Sequence, residues 1–279
     1  MRSTPITVLV VGATGSIGRL AVVEAAEAGH RVRALVRDPR KARDLPESVE
    51  VIVGDVTKPE TLVASVDGAD AVVFTLGSDG AGKAGAESID YGGVRNVLRA
   101  LGSRQARIAL MTSIGVTNRT GAYNLGTEAH DWKRRSERLV RASGHPYTIV
   151  RPGWFDYNAP NQHHLVFLQG DRRQTGDPSD GVIARRQIAQ VLISSISSEA
   201  AERKTLELVA VTGPSQRDLE PLFHALQSDA PGGLDAVLDA ANLPLEAEPE
   251  RVRADLEAVR THPTPAKTGE LGLYRTKLR

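Results

Sequence analysis

Short, nearly all-apolar runs recur along the first half of the chain, and between them apolar residues return every three or four positions. "ITVLVV" (Ile6–Val11) is the first such run, and glycine closes it. Runs without polar alternation suit strands buried on both faces of a parallel sheet. Arg31–Val36, Val49–Asp55, Ala71–Gly77, Arg107–Ser113 and Tyr147–Arg151 predict five more strands. The intervening pattern is helical at Ser16–Ala28, with Gly29 placed to end the helix. It is helical again at Ser88–Leu101, where Val94, Val97, Leu98 and Leu101 share a face, and in the segment "TEAHDWKRRSERLVRASG" from Thr127. Thr57 and Glu60 have the spacing of a capping box for a further short helix. Strict alternation of strand and helix predicts an α/β fold: a doubly wound parallel sheet of the Rossmann type with right-handed crossovers.

The regularity weakens after Pro152. Residues 153–181 are rich in Gly, Asn, Asp and His and read as loop, with a short strand at Leu165–Leu168. A helix at Arg185–Ile196, a strand at Leu206–Val211 and a helix at Gln216–Leu226 follow. "SDAPGG" (Ser228–Gly233) is a break. The expected organisation is a main domain over 1–227, including a small substrate-side region from about 153, and a helical or extended tail over 228–279. Val252, Leu256 and Val259 share one helical face, which predicts packing against the domain or a second subunit. "THPTPAKTGELG" (261–272) reads as extended.

The first strand-to-helix junction carries candidate chemistry. In "VVGATGSIGRL", Gly12 allows a sharp turn, Gly15 leaves room for a pyrophosphate, and Gly18 lets helix and strand approach. A helix N-terminus adds free N–H groups and a positive dipole end. The second strand runs out through "VRDPRKAR". Arg37, Arg40 and Lys41 suit the 2′-phosphate of NADP, since a guanidinium pairs bidentately with phosphate. Asp38 has the spacing of the acid that binds the NAD ribose, and it is equally placed to cap a helix starting at Pro39.

Composition narrows the partners. Among 279 residues, Lys plus Arg is 35 and Asp plus Glu is 34, so no global charge draws the chain to nucleic acid or an anionic membrane. There is no cysteine, hence no disulfide and no thiolate ligand or nucleophile, which fits a cytoplasmic location. The opening apolar run is too short for a membrane span and lacks a signal-peptide layout. The adjacent His163 and His164 lack the i,i+3 or i,i+4 spacing of helical metal ligands, and no metal site is expected. Ser113 has no nucleophile-elbow context, which argues against hydrolysis.

With these residues in view, the chain resembles the short-chain dehydrogenase/reductase superfamily, closest to its atypical extended, NmrA-like or NAD(P)H-binding branch. The matching stretches are "VGATGSIG", "GHRVRALVRDP", "VEVIVGDVT", "DGADAVVFTLG", "IDYGGVRNVL", "TSIGV" and "RASGHPYTIVRPGWF", in that order, with a weaker match through "GVIARRQIAQVLISSI". The resemblance implies that Gly12, Thr14, Gly15, Ile17 and Gly18 hold the pyrophosphate and Arg37 the 2′-phosphate. It implies that Asp55 and Val56 lie against the adenine, that Leu76 and Gly77 line the cofactor, and that Pro152, Gly153 and Trp154 flank the nicotinamide. Ser113 matches the catalytic-site serine and Lys133 the active-site lysine.

The departure is Ala129. Active family members carry a tyrosine there, four residues before the lysine, which protonates the carbonyl oxygen as hydride arrives; the lysine lowers its pKa. Without it, Lys133 reads as a ligand of the nicotinamide ribose or as a solvated lysine of a basic helix. Its basic run, Lys133–Arg141, reads as a solvated amphipathic face or as a subunit contact, as in a homodimer. His130, one helical turn before Lys133, is the nearest substitute acid; Tyr123, Tyr157, His163 and His164 are the others. The resulting expectation is an NADP(H)-dependent oxidoreductase, NAD being possible, acting on a small conjugated acceptor such as a quinone or flavin. The alternative is a catalytically silent NADP(H) sensor or regulator.

Overall fold

The computed structural model describes residues 4–78 and 80–260, so the extended stretch expected at 261–272 lies outside the described residues. Seven parallel strands form the sheet: β1 (Thr7–Val11), β2 (Arg31–Val36), β3 (Glu50–Val53), β4 (Ala71–Phe74), β5 (Arg107–Met111), β6 (Tyr147–Pro152) and β10 (Lys204–Val211). Their order is β3-β2-β1-β4-β5-β6-β10. The order reverses between β1 and β4, the crevice where doubly wound sheets bind ligands. Three short strands extend the far edge: β7 (Trp154–Phe155), β8 (His164–Leu168) and β9 (Val182–Ile183), with β8 and β9 antiparallel to β10. The loop expected at 153–181 therefore contains β7 as well as the anticipated β8.

The unbroken apolar runs have their expected cause. Val8 and Val10 enter the core on one side of the sheet, Leu9 and Val11 on the other, and all four are inaccessible to solvent. Helices α1 (Gly18–Glu27) and α7 (Arg185–Ser197) cover the first side. The short α2 (Val63–Val66), with α4 (Gly92–Leu101) and α6 (Ala129–Ala142), supplies the core on the second side; the short α3 (Gly82–Gly85) and α5 (Ala122–Thr127) come between them in the chain. The helix at Ser88–Leu101 opens differently from expectation: Ala86–Tyr91 is a π-helical turn that runs into α4. The capping box at Thr57 and Glu60 does not form. Thr57 instead donates through N and Oγ1 to Asp55 Oδ1, at 2.9 and 2.8 Å, and a 3-10 turn begins at Pro59. The helix at Gln216–Leu226 contracts to α8 (Glu220–His224).

The largest correction concerns the basic run of α6. Its arginines do not form a solvated face. Arg134, Arg135, Arg138 and Arg141 are all buried, with Arg134 wholly inaccessible. The C-terminal segment, whose described residues run through α9 (Glu250–Arg260), covers them. Asp235 pairs with Arg134 and Arg138 at 3.1 and 2.7 Å, and Glu248 with Arg135 and Arg138 at 2.7 and 2.9 Å. Asp229 takes Arg141 at 3.1 Å. Beneath them Glu137 is held by Arg151 (2.7 Å) and Arg141 (3.3 Å), and Asp239 closes on Arg151 at 2.7 Å. Burial alone would raise the Glu137 carboxyl, but Arg151, Arg141 and Thr112 hold it at about 2. The apolar stripe of α9 packs as expected, with Val252, Leu256 and Val259 buried, while Asp255 accepts from Tyr91 Oη at 2.9 Å and Arg99 at 2.7 Å. The tail thus occupies the face that a subunit contact through α6 would use.

Candidate functional site

At the end of β1 the backbone turns at Gly12 with φ of +90°, a conformation that costs glycine little. A Cβ at Gly12 would lie 3.0 Å from the Thr75 carbonyl oxygen, and one at Gly18 only 2.0 Å from the Gly12 carbonyl oxygen. Gly15 N donates to that same oxygen at 2.9 Å, which closes the turn. Beyond the loop lies a cavity of about 770 Å³, within the usual range for cofactor and ligand pockets. It follows the carboxyl ends of the strands, from Gly12, Thr14, Gly15 and Ile17 to Leu76, Gly77 and Ser113, then Pro152, Gly153 and Trp154. Gly18 does not line it; its part is the close approach of α1 to the turn.

Arg37, Lys41, Asp55 and Val56 line the end of the cavity beside β2 and β3. Asp38 is committed elsewhere. Its Oδ1 accepts from Arg40 N at 3.0 Å, capping the 3-10 turn at Pro39–Ala42, and its carboxylate holds the Arg40 guanidinium at 2.9–3.2 Å. Those bonds to Arg40 lower its pKa. Of the three basic residues, Arg40 is therefore tied to Asp38, while Arg37 and Lys41 face the cavity. Burial acts to raise Asp55, but its bonds from Thr57 and the charge of Arg37 lower it. Asn96 Nδ2 donates to the Val56 carbonyl at 2.7 Å and fixes that wall.

At the other end, α6 presents His130 and Lys133. The helix starts after Glu128, whose φ is +55°, and Asn124 Oδ1 accepts the first-turn N–H of Asp131 at 3.1 Å. Lys133 is not a solvated lysine: its side chain is 15% exposed, and Nζ meets Asp90 Oδ1 at 2.7 Å. Asp90 lies within the π-helical turn, its side chain 1% exposed, and also accepts from Ser78 Oγ at 2.7 Å. π-Turns often mark functional positions. Ala129 is buried in the core with Trp132 and does not reach the cavity. Ser113 Oγ is buried with no partner in the protein, as is His130 Nδ1. Burial lowers the His130 pKa, opposed by the Asn118 backbone and the charge of Asp171, so the ring favours its neutral form. The Tyr123 ring packs against His130 in a tilted contact, centroids 5.1 Å apart, and lines the cavity while 60% exposed.

The remaining candidates are not brought in. Tyr157 meets Trp154 edge-on outside the lining, and neither His163 nor His164 reaches it; His164 lies 3.2 Å from Gln216 Nε2. Among the lining residues outside the sequence expectation are Asn118, Gln174, Gly176 and Asp180. Only the polar character of residues 153–181 pointed to Gln174, Gly176 and Asp180, without singling out these positions, and nothing pointed to Asn118. Among the described residues no group of His, Cys, Asp and Glu could hold a metal, and no helix is long and apolar enough to cross a membrane.

A glycine turn that no side chain could fill, opening onto a cavity at the switch point of a parallel sheet, defines a dinucleotide-binding protein. A family model described as NAD(P)H-binding matches residues 12–199, and the chain belongs to that family. Among its relatives is rice (Oryza sativa subsp. japonica) "Protein TIC 62, chloroplastic", 32% identical over 235 residues, or 74% of this chain. That match spans only 46% of the rice protein's length. "Sanguinarine reductase" of Eschscholzia californica is 26% identical over 270 residues, covering 79% of this chain and 96% of that one. Among solved structures, a short-chain dehydrogenase/reductase of Veillonella parvula in complex with NADP superposes with a TM-score of 0.56 at 18% identity, over 74% of this chain and 95% of that one.

Proposed function

We propose that the chain is an NADPH-dependent reductase that passes hydride to a small conjugated acceptor, quinone- or flavin-like, without a tyrosine acid. One observation carries this reading: where the family tyrosine would stand, Ala129 is a buried methyl, and α6 offers the cavity only His130 and Lys133. When bound, the reduced nicotinamide supplies the hydride. Lys133, fixed by Asp90, holds the ribose hydroxyls beside it rather than tuning a phenol. Ser113 Oγ donates a hydrogen bond to the acceptor, which satisfies a hydroxyl otherwise buried without a partner. A quinone or flavin spreads the incoming negative charge over its rings and takes its proton from solvent, so no positioned phenol is needed. NADP is preferred over NAD because Asp38 is engaged by Arg40, leaving Arg37 and Lys41 for a 2′-phosphate. The reductase among the relatives supports the same reaction class.

NADPH oxidation against a panel of quinones, flavins, ketones and aldehydes tests it. Quinones or flavins should be reduced well ahead of simple ketones. Robust reduction of unactivated ketones would defeat the delocalised-acceptor reading and direct attention to Tyr123. A second reading, a silent NADP(H) sensor, is favoured by the same missing phenol and by the neutralisation of Lys133. Tight NADPH binding with no oxidation by any acceptor would select it.

A further inference from the structure

The loop that carries Ser113 is held by a residue from a distant part of the chain. Asp171 is 1% exposed and lies beyond β8. Its Oδ1 accepts from Gly115 N at 2.6 Å, and its Oδ2 accepts from Thr117 N at 2.7 Å and Thr117 Oγ1 at 2.8 Å. Three donors on one buried carboxylate make a strong, charge-assisted anchor. The backbone of Asp171 has φ of +47°, an unfavourable conformation for a residue with a side chain. Such strain persists where the surroundings over-determine it, and it concentrates at functional sites.

The same knot joins both lips of the cavity. Gln174 Nε2 donates to the Asp171 carbonyl at 2.6 Å and to Thr117 Oγ1 at 2.7 Å, while Asn118 Nδ2 donates to the Gln174 carbonyl at 3.3 Å. Gln174 and Asn118 both line the cavity. Gly115, pinned by Asp171, passes so close to His130 that a Cβ there would lie 3.3 Å from Cε1. The carboxylate therefore fixes, at once, the loop bearing Ser113, the backbone against His130 and the lip bearing Gln174. We infer that Asp171 is a positioning residue for the acceptor end of the site: it holds Ser113 and Gln174 in register, and it acts on acceptor reduction without acting on dinucleotide affinity. This rests on the reductase reading above.

The test is Asp171→Asn in the full chain. Asparagine keeps the shape but turns an NH₂ group against one of the backbone donors. Amide hydrogen exchange at 113–118 should rise while exchange at 12–19 stays unchanged. NADPH affinity by fluorescence titration should stay within about twofold, whereas kcat for a naphthoquinone acceptor should fall about tenfold or more with little change in KM, as expected for one lost charged hydrogen bond. Thr117→Val, which removes one donor and leaves the carboxylate, should move the same readouts less, and it serves if Asp171→Asn does not fold. Unchanged exchange at 113–118, or a rise that extends equally to 12–19 with parallel loss of NADPH affinity, would overturn the assignment. If the parent reduces no acceptor, the reductase reading fails, and the exchange pattern still decides whether Asp171 holds the loop.

Discussion

The glycine turn at Gly12–Gly18 and the arginine face of α6 are built on opposite principles. The first needs almost nothing beyond its own stretch of backbone. A positive φ at Gly12, a bond from Gly15 N to Gly12 O and the absence of a Cβ at Gly18 make the loop. The second exists only because residues about a hundred positions away supply the opposite charges. Arg134, Arg138 and Arg141 meet Asp229, Asp235 and Glu248 from a segment beyond the stretch matched by the family model. Removing buried arginines from water costs several kcal/mol each, and pairing them only approximately repays it. What such a network contributes is discrimination, because the segment fits in the one register where each guanidinium finds its carboxylate.

The sharpest way to break this contrast is Glu137→Gln. The change leaves Arg151 and Arg141 buried with one carboxylate fewer between them. Loss of one partner from a buried pair costs about 3–5 kcal/mol, and denaturant unfolding should show a loss of that order. NADPH affinity of the folded protein should hold, because the glycine loop and Arg37 bond to nothing in the network. A parallel collapse of cofactor affinity would mean that the two regions are one cooperative site.

That contrast also explains what could be read from sequence. The strands of the sheet were legible because an apolar run bounded by glycine has few other uses, and the glycine spacing was legible because its chemistry is local. The cover on α6 was not. Arginines at 134, 138 and 141 form a helical stripe, and a stripe of charge looks the same whether water or carboxylates lie above it. The acids that meet it are scattered from Asp229 to Glu248 with no periodicity. Asp171 was missed for a related reason: its backbone strain and its three donors exist only once Gly115 and Thr117 are brought to it. The candidate site was legible where the resemblance supplied positions, as at Ser113 and Lys133, and Asp90, which neutralises the lysine, was hidden in an unforeseen π-turn.

The network also carries a pH signature of opposite sign at two of its acids, Glu207 and Glu137. Burial raises Glu207 to about 7, with Asp171 and Asp239 adding to the rise and Arg151, at 3.7 Å, opposing it. The folded chain therefore holds this proton more tightly than the unfolded chain. The associated stability is full below the unfolded value near 4.5 and is lost as pH rises through about 7. Glu137 does the reverse, contributing above 4.5 and losing its contribution as pH falls toward 2. Unfolding free energy should accordingly decline between about pH 4.5 and 7 by up to about 3 kcal/mol from Glu207 alone. Glu207→Gln should flatten that slope. A slope unchanged in the variant would assign the decline to other groups.

On the cofactor side, Arg37→Ala should weaken NADPH by about 1.5–3 kcal/mol, the range for a charged hydrogen bond, and leave NADH nearly unaffected. Calorimetry with both dinucleotides measures it. An equal loss for the two would remove Arg37 from the 2′-phosphate and break the assignment of this end to NADP.

The smallest expected effect sharpens the same point from the other direction. Asp38 is the acid whose spacing fits an NAD ribose, yet its oxygens are spent on Arg40, through N at 3.0 Å and the guanidinium at 2.9 Å. Its work is local: a cap on a 3-10 turn and a tether on an exposed side chain. Asp38→Ala should lower the melting temperature slightly, as loss of a cap does. It should also free Arg40, so the preference for NADPH over NADH should stay the same or strengthen. A selective loss of NADH affinity would show that the carboxylate leaves Arg40 to bind the ribose when NAD arrives. In that case the dinucleotide end, like the arginine face of α6, would depend on an exchange of partners that its own stretch of sequence does not display.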